Sequence, residues 1–179
     1  MTSLLLHPQS ARVGVSGIDA HVTRASAGVL TFRYMLYGDL DAVRWPAQAA
    51  SARADELWRS TCFEAFVQAQ GTSSYLEFNF SPSSQWAAYA FESYRAGMRS
   101  IEVAALEIGV RREEGLFEMS AEINAAALPA HAPLRVGLSA VVESVSGEKL
   151  YWALAHPPGQ PDFHHSDCFA LEITPSERP

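Results

Sequence analysis

The feature that most constrains this chain is a two-residue alternation of apolar and polar positions, repeated in short bursts and never replaced by a long helical period. It is clearest between Asp55 and Met98. In Cys62–Gln70, Phe63, Ala65, Val67 and Ala69 fall on one side, and Cys62, Glu64, Phe66 and Gln68 on the other. In Tyr75–Phe80, Leu76, Phe78 and Phe80 oppose Tyr75, Glu77 and Asn79. Period two is the mark of a half-buried strand. The link Gly71-Thr72-Ser73-Ser74 is turn-forming, so the two strands are expected to pair as an antiparallel hairpin. That pairing gathers Glu64, Glu77 and Asn79 on one face.

The pattern recurs along the chain. Ser3–His7 reads as a first strand closed by Pro8, followed by Val13–Val15 and Ile18–Ala25. Val29–Tyr37 is the most β-branched and aromatic run, with Leu30, Phe32, Tyr34 and Leu36 on one side. Gln85–Glu92, Glu102–Arg112, Leu116–Asn124, Leu134–Glu143, Lys149–His156 and Cys168–Thr174 complete the set. Asp41–Ala54 reads as a loop with one helical turn at Ala47–Ala54. Ser93–Ser100 reads as a crossing loop. Ile123–Pro129 reads as a helical turn capped by Asn124 and stopped by Pro129. About ten or eleven short strands without a long amphipathic helix imply an all-β chain, an antiparallel β-sandwich or barrel.

Bulk properties exclude several function classes. A chain of 179 residues is most simply one domain over 1–179, with 1–2 and 175–179 frayed. The 48% apolar and 18% charged content fits a globular chain. A net charge of −7, with 13 scattered basic residues, argues against a nucleic-acid partner. No segment approaches the roughly 20 apolar residues of a membrane helix, and no basic opening marks a secretory signal. The expectation is a cytoplasmic protein without a membrane partner. Cys62 and Cys168 make no disulfide framework and read as two buried thiols in strands.

Glu64, Glu77 and Asn79 are the first chemical constellation. Such a cluster can be a buried network paired with Arg59, Arg33 or Arg95. It can also be the floor of a site for a polar ligand, a hard-cation site or an acid–base pair. Trp58, six positions before Glu64, adds an aromatic face on which a sugar ring stacks. Trp45, Trp86 and Trp152 are equally suited to core packing. His156, His164 and His165 cluster with Asp162 and Asp167. Adjacent His164 and His165 on an extended chain point apart, which disfavours a zinc site. No phosphate-cradling loop or nucleophile elbow is present. No metal, cofactor or catalytic residue is expected.

Three runs within Leu57–Met98, namely L-W-R-S-T-C-F-E-A-F-V, Y-L-E-F-N-F-S-P-S-S-Q-W-A-A-Y-A-F and Y-R-A-G-M, resemble the DOMON-like superfamily. The resembled branch is that of small bacterial single-domain proteins close to type 9 carbohydrate-binding modules. The run Y-W-A-L-A-H-P-P-G-Q-P-D-F-H-H-S-D-C-F, from Tyr151 to Phe169, is similar to the same branch. The resemblance implies a β-sandwich of jelly-roll or immunoglobulin-like type. It implies that Trp58, Glu64, Glu77 and Asn79 follow the order of a sugar site, although Glu77 stands where the sugar binders carry a basic residue. It implies a second aromatic wall, from Trp152 or the Phe163–His165 loop. Other DOMON domains bind haem through Met or His, and here no motif surrounds Met35 or Met98.

The resulting reading is a non-enzymatic domain that binds a small polar ligand, a saccharide, on a sheet face. The expected site is Trp58, Arg59, Glu64, Glu77, Asn79 and Arg95, with His164 and His165 nearby. The alternative is a structural or interaction domain in which the same polar cluster pins strand register. Weaker alternatives are a haem-binding domain and a glycoside-active enzyme.

Overall fold

A computed structural model describes residues 1–25, 28–103, 106–124, 128–129 and 132–174. Two antiparallel sheets pack face to face. The first contains β1 (Thr2–Ser3), β3 (Val15–Arg24), β4 (Val29–Gly38), β10 (Leu116–Asn124) and β9 (Glu107–Glu113), in that spatial order. The second runs β2 (Leu5–Leu6), β12 (Lys149–Ala153), β11 (Leu134–Glu143), β5 (Cys62–Ala69), β6 (Tyr75–Phe80), β7 (Trp86–Phe91) and β8 (Arg99–Ser100). A last strand, β13 (Leu171–Ile173), joins β11 beyond the end of β12. The chain is thus an all-β antiparallel sandwich. Three 3-10 turns lie at Leu40–Ala42, Leu57–Arg59 and Ser166–Cys168. No helix among the described residues is long and apolar enough to cross a membrane.

The alternation in sequence places the core. Leu30, Phe32, Tyr34 and Leu36 of β4 meet Phe63, Ala65 and Val67 of β5 and Phe78 and Phe80 of β6 between the sheets. Phe63 stacks on Phe117 at 5.8 Å and Trp45 closes over Phe117 at 4.4 Å. Tyr34 Oη donates to the Glu64 carbonyl at 2.6 Å, which satisfies a hydroxyl that burial would otherwise leave costly. It also ties the sheets together behind the strand that carries Glu64.

The strand count is thirteen among the described residues, because three strands of two residues escape a pattern that needs longer runs. Ser3–His7 is not one strand. The segment crosses from the edge of one sheet to the edge of the other at buried Leu4, whose N–H donates to Ile18. Val13–Val15 and Ile18–Ala25 are largely merged into β3, with a register irregularity between Val15 and Gly17. Ala47–Ala54 forms no helical turn. It runs beside the start of β7, with Ala54 N–H donating to the Trp86 carbonyl and Trp86 N–H to that of Ala52. β9 begins at Glu107 rather than Glu102. Cys168 lies in a 3-10 turn, not a strand, so the final strand is three residues long. Ile123 and Asn124, expected to open a helical turn running to Pro129, are instead the last residues of β10, and 125–127 of that turn and the expected frayed tail at 175–179 lie outside the described residues.

The second sheet is covered on both faces. Its outer side carries a smaller core of Phe66, Tyr75, Phe91, Phe163 and Phe169. The segment after β12 folds back over this side. Phe169 stacks on Phe66 at 5.7 Å, and the edge of His164 meets Phe66 at 5.0 Å and Phe91 at 5.1 Å. Gly137, opposite Phe66, permits this approach: a Cβ there would lie 2.9 Å from Phe169 and 3.1 Å from the Cys168 carbonyl.

Candidate functional site

The hairpin of β5 and β6 sets the register on the outer face. Glu64 pairs with Asn79 across the strands, and Phe66 pairs with Glu77. β11 and β7 extend these into two rows. One is Ser139–Glu64–Asn79–Ala87, and the other is Gly137–Phe66–Glu77–Tyr89. Glu64, Glu77 and Asn79 therefore share one face, as the alternation requires. Beside them opens a cleft of about 930 Å3, near the upper end of the roughly 300–1,000 Å3 usual for small-molecule sites.

Glu64 and Glu77 form the cleft floor, only 4% and 6% exposed. Burial, then the neighbouring Glu77, pushes the Glu64 carboxyl well above the usual range, while Arg95 pulls the other way. Burial also raises Glu77, opposed by the hydrogen bond from Asn79 and by Arg95. Among the described residues the Glu64 carboxyl has no hydrogen-bond or close ion-pair partner. Ser139, across the strand from it, likewise has a buried Oγ without a hydrogen-bond partner there. Asn79 is fully buried and does not reach the cleft. Its Nδ2 donates to Glu77 Oε1 at 2.7 Å, so it orients a floor residue instead of touching a ligand.

The walls come from three separate segments. Trp58 stands on the 3-10 turn before β5 with 46% of its surface exposed, and its indole lines the cleft. Arg59 does not line the cleft. Its guanidinium sits 5.5 Å from the Trp58 ring and pairs with Glu56 at 2.7 Å, bracing the indole from outside. Arg95, on the turn after β7 and at a φ of 53°, lines the opposite wall. It donates to Asp162 at 2.7 Å, and Tyr94 Oη donates to the other oxygen of that carboxylate at 2.6 Å. This clamp joins the Tyr94–Arg95 turn to the folded-back segment.

That segment brings Phe163 and His164 into the cleft wall. Arg95 N–H donates to Tyr75 Oη at 3.1 Å, and Tyr75 Oη lies 2.9 Å from His164 Nδ1. If the phenol donates to Nδ1, the Nε2–H is left facing Glu77 Oε2 at 3.7 Å, beyond hydrogen-bond reach. Burial, then Arg95, lowers the His164 pKa to about 4, so the ring is neutral near pH 7. His165 points elsewhere. Its Nδ1 accepts from the Asp167 N–H at 3.3 Å, and the ring does not line the cleft. Five of the eight residues singled out in the sequence line the cleft: Trp58, Glu64, Glu77, Arg95 and His164.

Other placements depart from expectation. Trp152 faces the inter-sheet core at 5% exposure and is no second wall. That part is taken by Tyr151, Phe163 and Tyr89. Tyr89 Oη donates to Asp55 at 2.6 Å, and Asp55 is held by a two-pronged bond from Arg53. The signal for Tyr89 and Tyr151 was available, since each falls on the outer parity of its strand. Arg33, on β4, belongs to the other sheet. Met35 lies on that sheet too, while Met98 lines the cleft. No group of three or more His, Cys, Asp or Glu among the described residues could hold a metal ion.

No family model and no curated protein sequence matches the chain. Solved structures match it in fold. A candidate carbohydrate-binding protein from Bacteroides uniformis superposes with a TM-score of 0.70 at 13% identity, covering 93% of this chain and 82% of that one. A family 9 carbohydrate-binding module from Caldicellulosiruptor kristjanssonii, in complex with glucose, superposes with a TM-score of 0.57 at 10% identity, covering 96% and 81%. The likeness is one of fold, a two-sheet antiparallel sandwich shared over most of each chain.

Proposed function

We propose that the protein is a non-enzymatic binding domain for a small hydroxylated ligand, a saccharide, held in the cleft on the outer face of the larger sheet. One observation carries this reading. Two carboxyls lie at the base of an open cleft whose rim bears an exposed indole. A Trp at the surface loses no core packing by being free, and its flat face suits the apolar side of a sugar ring. Glu64 and Glu77 offer carboxyl oxygens that pair with sugar hydroxyls. Asn79 fixes one of them in place. The solved structures described as carbohydrate-binding support the choice of ligand class.

The role assigned to the pair is grip, with Glu77 held in place by the Asn79 amide at 2.7 Å. The competing view, that the cluster only pins register, is favoured by Asn79 alone, because that residue is sealed. Thermal-shift and intrinsic-fluorescence titrations with mono- and disaccharides separate the two. Binding raises Tm, and Trp58→Ala abolishes the response while leaving unliganded stability within about 0.5 kcal/mol, as for other exposed positions. If no saccharide stabilises the protein and Glu64→Gln alters only stability, the register role stands in its place.

A further inference from the structure

The charges around the cleft do not balance, and the imbalance is localised. Asp55, Glu56, Glu64 and Glu77 line it against Arg95 alone among the described residues. Two of the four acids are already answered from outside. Arg53 grips Asp55 at 2.8 Å and Arg59 pairs with Glu56 at 2.7 Å. Arg95 is committed to Asp162 and acts on the floor only at longer range. Glu77 has a neutral amide from Asn79 and a neutral imidazole 3.7 Å away. Glu64, 96% buried by its 4% exposure, has neither hydrogen bond nor close ion pair there.

We propose that the ligand carries a protonated amine beside its hydroxyls, as an amino sugar does, and that its ammonium sits between Glu64 and Glu77. The inference rests on the binding reading above and names its ligand class. A buried carboxylate is stable only with a compensating cation or ample hydrogen bonds. A neutral sugar supplies hydrogen bonds but no charge. An ammonium supplies charge and three donors from one atom. Glu64 and Glu77 are diagonal neighbours on adjacent strands, a spacing of about 7–8 Å between backbones that leaves room for one such group between their carboxyls. Trp58 and Tyr89 add aromatic faces toward which a cation is drawn.

Calorimetric titration with D-glucosamine, D-glucose and N-acetyl-D-glucosamine tests this at about pH 6, below the range of an amine of this kind. Amine-free buffers of unequal ionisation enthalpy are used. Glucosamine binds at least about tenfold tighter than the other two, the scale of one added charged hydrogen bond. Its heat varies with buffer, because the ammonium displaces a proton from the carboxyl pair. Glu64→Gln and Glu77→Gln, each checked for folding by circular dichroism, lower glucosamine affinity by at least about tenfold more than glucose affinity and so lose this preference. Trp58→Ala weakens all three sugars, because each stacks on the indole. Glucose or N-acetylglucosamine binding as tightly as glucosamine overturns the inference and leaves the saccharide reading intact. Failure of all three to bind removes both.

Discussion

At the residue scale, the floor and the wall of the cleft respond to pH in opposite senses. Glu64 has a folded pKa above its ordinary value of 4.5. Its burial carries no charge penalty while the group is protonated in both states. The cost grows as pH rises from the ordinary carboxylate value through the raised one. Glu64→Gln therefore gains stability relative to the parent as pH increases, and the two converge below about pH 4. His164 has a folded pKa of about 4 against 6.5. The unfolded chain takes up a proton that the folded ring refuses, so stability falls as pH drops from about 6.5 toward 4, by an amount on the order of 3 kcal/mol. His164→Gln flattens that acid limb. Urea melts at a series of pH values read both slopes. If the Glu64→Gln difference is independent of pH, the carboxyl is not the buried group described here.

At the element scale, the cleft exists because a segment outside regular strands lies across a sheet face. Gly137 is the hinge of that arrangement, since any side chain there meets Phe169 and the Cys168 carbonyl. Gly137→Ala forces the ring away and costs about 1–3 kcal/mol, the usual range for overpacking. Amide exchange around 163–169 rises more than exchange in β3 or β4. Equal acceleration everywhere would mean that the cover is not a separate layer. This layer is also where sequence legibility ended. Period two placed Glu64, Glu77 and Asn79 on one face and gave β10 its bounds, because both follow from local backbone geometry. It could not say what covers that face. Covering depends on contacts between residues as far apart as Phe66 and Phe169. Trp152 shows the same limit: parity put it on a side, and only the partner sheet decided that the side was interior. The failed helical turn at Ala47–Ala54 reflects Ala- and Ser-rich composition overridden by hydrogen bonds to β7.

At the scale of the whole molecule, three layers stand where a sandwich needs two. The inter-sheet core fixes the strands, and the outer aromatic layer shapes one end of the cleft. Strand β5 runs through the middle of both, and all eight of its positions are buried. Strand β9, at the far edge of the other sheet, is exposed at nearly every position. The two strands thus face unlike tolerances to random change. A saturation library sorted for folded protein should show Cys62–Ala69 as a block in which nearly every substitution is rejected. Glu107–Glu113 should accept most residues other than proline. Within the first block, Glu64 should be the exception that admits a neutral polar replacement. A strand that must satisfy two interiors has no side left on which to drift, so diversification of this protein is confined to its rims and loops.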